Sequence, residues 1–500
     1  MRETKLMLLL KQFEIKELKA FDKFIHSPYF NTNETLTQLW LLLKKYAPNF
    51  DAPQLANQKV FKKLFPKTTY NEKRLRQLRS QLFKLVEAFL AIERFKQDRF
   101  SFKKGIGDAY LEKGMKDNFE RKYDELQTSF GTEAFLSTSA LHQKMSLYHQ
   151  LYFNELNVKG DECSTDLING TFLLEKCYVQ QKLIYTLEWL SSNLRYNYDI
   201  PQNILNYVDL LKDRSIFNNK NSTQAILENA VKLLVAGDNW EDLFKKLNNQ
   251  FSQSYAKIDT KSKNLMLRLL INYSIHKEDK GLNMQATILQ LYKLGLTDEG
   301  IFYKGLMTNV TFMNIVTTAL KQGESVWAKA FIKEEKYRLY EPQNEQFLYL
   351  AKATVLYYEQ KRQDCLEILA KMERSDLTTL ELIKRNFQIR VIFECYQTGQ
   401  VHVKMLFANI EKYQKYLQRK QIFSDSKRKA YQNFGKYILR LANWCENNGN
   451  EKQLNKIKNE LIQEESFPNK SKAWLLKHIY SFENEHGVAL RTTVDSQQWQ

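Results

Sequence analysis

The chain has 500 residues, of which 43% are hydrophobic and 26% charged, with only 16 glycines and 7 prolines. The apolar content allows a sizeable core and excludes a disordered chain. Glycine and proline far below their usual ~7% and ~5% exclude a turn-rich β fold and favour long helices, where Gly costs ~1 and Pro ~3 kcal/mol. The formal charge of +18 sits with a mean hydropathy of −0.53, as in a soluble protein, and raises the question of an anionic partner.

Five cysteines (Cys163, Cys177, Cys365, Cys395, Cys445) are widely spaced, with no C-x-x-C pair. An odd, scattered set argues for a reducing compartment and against a disulfide framework or a zinc site. The apolar run Leu6–Leu10 is too short for a signal peptide. The uncharged stretch from Gly305 to Leu320 is too short and too polar to span a bilayer. The expectation is a cytoplasmic protein without membrane insertion.

Residues 1–104 carry four of the seven prolines, Pro28, Pro48, Pro53 and Pro66, and read as a compact basic helical domain. Within it Leu75, Leu78, Leu82, Leu85, Phe89 and Ile92 follow helical spacing, with Asn71 as a capping residue. Residues 105–485 show amphipathic segments punctuated by turn signals at Gly114, Gly160, Asp199, Gly237, Gly281, Gly323, Lys361, Gly399 and Gly449, spaced 38 to 50 residues apart. A helix pair with its loops needs about 34 to 47 residues in helical repeat classes. The expected architecture is all-α: an α-solenoid of tandem helical hairpins preceded by the small helical domain, with residues 486–500 as a C-terminal tail. The competing reading is an irregular all-α protein with similar average spacing.

The segment Ala351–Met372, with Tyr357-Tyr358-Glu359-Gln360 closing one helix and Asp364-Cys365-Leu366-Glu367-Ile368-Leu369 opening the next, resembles a tetratricopeptide-like repeat. Leu366 stands where that family prefers a small residue, and Lys361 replaces its turn glycine. Ser27-Pro28-Tyr29-Phe30-Asn31, Val60–Pro66 and Tyr70–Arg76 resemble large helical proteins of Bacteroidota with degenerate tetratricopeptide-like repeats. That likeness implies a bacterial cytosolic origin and no chemistry. Val60–Leu82 also resembles activator proteins in which a winged helix precedes tetratricopeptide-like repeats, although Phe95–Gly107 offers no wing hairpin.

Two segments carry the whole charge excess. Residues 58–104 hold 14 basic and 4 acidic residues, and residues 404–440 hold 10 and 2; the remainder holds 51 of each sign. Lys73, Arg74, Arg76 and Arg79 fall in the first turns of the helix after Asn71, where cations oppose the helix dipole and an anionic partner would offset the cost. Lys412, Lys415, Arg419, Lys420, Lys427, Arg428 and Lys429 are interleaved with Tyr413, Tyr416 and Phe423, a composition suited to a nucleic-acid groove. The alternative for both is a solvated face, with the aromatics in the core.

Catalytic motifs fail. Gly105-Ile106-Gly107 has Tyr110 at its third glycine position, and Ser101–Lys104 and Ser424–Lys427 match S-x-x-K without partner motifs. His142 and His149 are seven residues apart, whereas helical metal ligands sit three or four apart. The sequence therefore points to a non-enzymatic protein–protein interaction scaffold, binding a protein or peptide with no cofactor or metal. The alternative is a nucleic-acid-associated regulator using Lys73, Arg74, Arg76 and Arg79, with Lys427, Arg428 and Lys429, on phosphates. Partner identity and oligomeric state are left open.

Overall fold

A computed structural model describes residues 4–154, 165–196, 199–213, 222–339, 344–373, 378–419, 425–467 and 469–495. Among them the chain is all-helical, without a β-strand. It divides into two compact units, Met1–Lys182 and Leu183–Gln500, a division downstream of residue 104.

The first unit contains α1 (Lys5–Leu10), α2 (Ile15–His26), α3 (Glu34–Lys44), α4 (Asn57–Leu64), α5 (Glu72–Gln97), α6 (Arg99–Glu112), α7 (Lys116–Thr128), α8 (Thr138–Phe153) and the start of α9 (Thr165–Tyr196). The spine is α5, started by Asn71, whose side chain accepts a hydrogen bond from the Arg74 N–H at 3.0 Å. This helix packs on α1, α2, α3 and α4 through Leu75, Leu78, Leu82, Val86 and Phe89. Leu85 and Ile92 of the expected stripe are only partly buried, because the real stripe drifts to Val86 at 3.6 residues per turn. Phe89 meets Phe13, Phe21 and Phe24 at ring distances of 6.0, 5.4 and 5.5 Å. Buried Trp40 donates its indole N–H to Asp22 at 2.8 Å, and Lys44 pairs with the same carboxylate. Residues Phe95–Gly107 lie in α5 and α6, helical where a wing would be. Gly107 is no phosphate loop. It lets α6 approach α7, since a Cβ there would sit 2.7 Å from the Tyr123 ring.

The second unit continues with α10 (Gln202–Asp213), α11 (Thr223–Leu234), α12 (Trp240–Ser254), α13 (Thr260–Asp279), α14 (Gln285–Leu296), α15 (Asn309–Lys321), α16 (Ser325–Glu335), α17 (Asn344–Tyr358), α18 (Arg362–Lys371), α19 (Thr378–Gln397), α20 (Val403–Arg419), α21 (Asp425–Glu446), α22 (Glu451–Gln463) and α23 (Asn469–Asp495). Helices pack on their chain neighbours, and α11 on α13, α15 on α17 and α21 on α23. An amphipathic hairpin exposes an apolar face that the next one covers. Helix α23 runs on through Asp495.

The turns reuse one device. At Gly323 (φ 77°) the Glu324 N–H reaches the Ala319 carbonyl at 2.9 Å, a six-residue closure that satisfies a helix-end acceptor. The same closure recurs after Gly114, Gly281 and Gly399. At the turn marked by Lys361 the left-handed residue is Gln360 (φ 64°), and at that marked by Gly449 it is Asn448 (φ 46°). Gly160 lies outside the described residues. A side chain in the left-handed region costs about 1–2 kcal/mol. Gln360→Gly is therefore expected to raise stability, and Gly323→Ala to lower it, each by about 1 kcal/mol in urea denaturation midpoints.

Candidate functional site

Helix α19 lacks a polar face. Its buried Leu382, Ile389, Val391, Ile392, Phe393 and Cys395 lie on several sides of it, as in a helix largely enclosed by its neighbours. Its polar side chains must therefore find partners inside. Asn386, Arg390 and Glu394 follow one another at intervals of four, one turn apart on one face.

Glu394 is tied to three neighbouring helices. Its carboxylate accepts from the Tyr357 hydroxyl of α17 at 2.6 Å and from the Trp474 indole of α23 at 3.0 Å. It pairs with Arg362, the first residue of α18, and His478 Nε2 lies 3.6 Å away. Burial alone would raise this carboxyl. His478, Tyr357, Trp474 and Arg362 outweigh burial and bring the group down to about 2.

One turn earlier, Arg390 lines a cleft of about 700 Å³, a volume typical of ligand sites. The walls come from every second helix: Met313 of α15, Tyr358 of α17, Phe387 of α19 and Tyr431 of α21, with Ser471 at the start of α23 and Phe467 in the loop before it. Among the described residues lining the cleft, Arg390 carries the sole formal charge. One guanidinium nitrogen donates to Ser471 Oγ, and the Phe434 and Trp474 rings stand 5.5 and 5.6 Å from its centre. Among the described residues its Nε–H has no acceptor, a cost of about 1–3 kcal/mol for a buried donor, and the Asn386 amide nitrogen meets only the Tyr413 hydroxyl. Burial also lowers the guanidinium below its ordinary value. On the opposite side of α17, Lys329, Lys333, Lys336, Lys352 and Lys361 rim a groove of about 510 Å³ floored by Ile332 and Leu356, with Glu359 as the single carboxylate lining it.

The residues singled out from sequence lie elsewhere. Lys73, Arg74 and Arg76 are exposed and Arg79 half-buried at the corner of α4 and α5. Arg74 lies over the Phe65 ring at 3.8 Å, and Arg79 reaches Asn57 at 3.4 Å. Among the described residues no carboxylate pairs with these four. Lys96, Lys103 and Lys104, downstream in the same basic segment, are paired with Glu93, Glu125 and Asp108. In the second segment Tyr413 and Tyr416 are buried, so they are core and no stacking platform for bases. Lys415 pairs with Glu411 and Arg440 with Glu460. Arg428 is half-buried and Lys429 exposed; Lys420, Phe423 and the Lys427 side chain lie outside the described residues. His142 and His149 are exposed, the latter against the Phe153 ring at 4.6 Å. Among the described residues no group of three His, Cys, Asp or Glu is arranged to hold a metal ion, and no helix is long and apolar enough to cross a membrane.

Arg390, Asn386 and Glu394 were missed from sequence. The available signal was three polar residues at four-residue spacing in a helix without a separate polar face. No family model matches the chain, and no curated protein or solved structure is significantly similar to it.

The low value for Glu394 fixes a pH window. A carboxyl held at about 2 against an ordinary 4.5 stabilises the fold fully above pH 4.5, and that contribution is lost as pH falls towards 2. In urea denaturation between pH 5 and pH 3, Glu394→Gln should remove up to about 1.4 kcal/mol per pH unit from the acid-side slope.

Proposed function

We propose that the protein is a non-enzymatic scaffold. In this reading the hairpins of the second unit form a tetratricopeptide-like α-solenoid, and the cleft along α15, α17, α19 and α21 takes a segment of a partner protein. The observation that carries it is the composition of the cleft wall, contributed by every second helix. That arrangement makes an extended groove of the kind helical repeats offer to peptides. The wall is aromatic and aliphatic, with a few convergent polar groups, and its guanidinium, amides and hydroxyls form no nucleophile–base pair. Photo-crosslinking in the native host tests it. A benzophenone amino acid at Ile383 or Val310, both exposed in the cleft wall, should give adducts with the same protein. One at Val326, which is exposed but does not line the cleft, should give none. Adducts absent at both cleft positions, or equal at all three, would reject the reading.

A second reading rests on the unpaired cations at the α4–α5 corner. There the first unit contacts nucleic-acid phosphates through Lys73, Arg74 and Arg76, a regulator's contact that could coexist with a binding cleft. Such binding weakens steeply with salt, by close to one unit of log–log slope per phosphate contact. Arg74→Glu with Arg76→Glu should abolish duplex DNA binding at 50 mM salt, on the order of a low-salt assay, with helicity unchanged. A wild-type chain that binds no DNA there would exclude this role.

A further inference from the structure

We propose that the cleft recognises an amphiphilic carboxylate, with Arg390 and Asn386 as its anion-binding pair; this rests on the cleft being the binding surface. Three observations converge. Glu394, the nearest carboxylate on α19, is committed to Arg362, Tyr357 and Trp474, and among the described residues Arg390 has no ion-pair partner. Among the described residues the Nε–H of Arg390 lacks an acceptor, and the amide nitrogen of Asn386, one turn away, meets only the Tyr413 hydroxyl. The remaining wall is largely apolar, with Phe347, Leu350, Ile383 and Phe387 among its residues.

Two donors and one positive charge call for a group that only accepts hydrogen bonds and carries one negative charge. A carboxylate is that group. A phosphate monoester brings close to two charges against a single cation, and a neutral carbonyl leaves the guanidinium uncompensated. The walls require the carboxylate to be attached to an aliphatic or aromatic body. A free amphiphilic acid or an acidic side chain flanked by apolar residues would both supply it.

The test is fluorescence titration of the full chain with dansylaminoundecanoate and with its methyl ester, which differ only in the charge. The wild type should bind the acid at least about tenfold more tightly than the ester. Arg390→Gln should lower the affinity for the acid to that for the ester and leave the ester unchanged. Asn386→Asp, which places an internal carboxylate one turn from Arg390, should have the same effect and covers the case in which Arg390→Gln does not fold. Displacement of the probe by decanoate identifies a free acid as the fitting source. Displacement only by an acetylated Leu-Glu-Phe amide, and not by its Gln counterpart, identifies a partner's side chain. Equal binding of acid and ester by the wild type overturns the carboxylate proposal alone, as does an unchanged affinity for the acid in folded Arg390→Gln. Failure of both probes to bind overturns the cleft reading with it.

Discussion

The carboxylate of Glu394 is the point on which the second unit's cleft depends. It is buried, it stays ionised, and its partners come from α17, α18 and α23 while it belongs to α19. A buried charge is tolerable only when it is paired: one Glu394 oxygen accepts from Tyr357 and Trp474 and the other meets the Arg362 guanidinium, so the four helices must meet there in one register. Removing one member of such a cluster leaves an uncompensated group, at a cost of about 3–5 kcal/mol. Apolar packing between hairpins does not fix register so tightly, since Leu, Ile and Phe at an interface can slide and repack.

Commitment of Glu394 has a second effect. Arg390 sits one turn away, close enough to feel that charge but without a contact of its own to it. The guanidinium is held by Ser471 and by the Phe434 and Trp474 rings, which orient it along the cleft wall without neutralising it. Of these two charges, Glu394 closes the fold and Arg390 is left with an unused donor.

The helical nature of the chain was legible because it rests on local chemistry. Low Gly and Pro, the 3.6-residue stripe of α5 and the Asn71 cap are written in short stretches. The turns were largely legible for the same reason: Gly323 and Gly399 take a left-handed conformation other residues avoid. The exceptions, Gln360 and Asn448, are a non-glycine residue bearing the strain, and sequence marked the residue after each. The cleft was not legible. Arg390, Tyr358, Tyr431 and Ser471 lie far apart in the chain, and only the packing of alternate helices brings them together. Net charge drew the eye to exposed lysines instead. Tyr413 and Tyr416 showed the cost of that emphasis, because aromatics between cations read as a binding stripe until burial places them in the core.

The dependence of the cleft on Glu394 is tested most directly by amide hydrogen exchange, comparing the wild type with Glu394→Leu by mass spectrometry of peptides. The account predicts faster exchange in peptides from α17, α19 and the first half of α23, with α11 to α14 unchanged. Exchange altered only in the turn around residue 394, or nowhere, would contradict it.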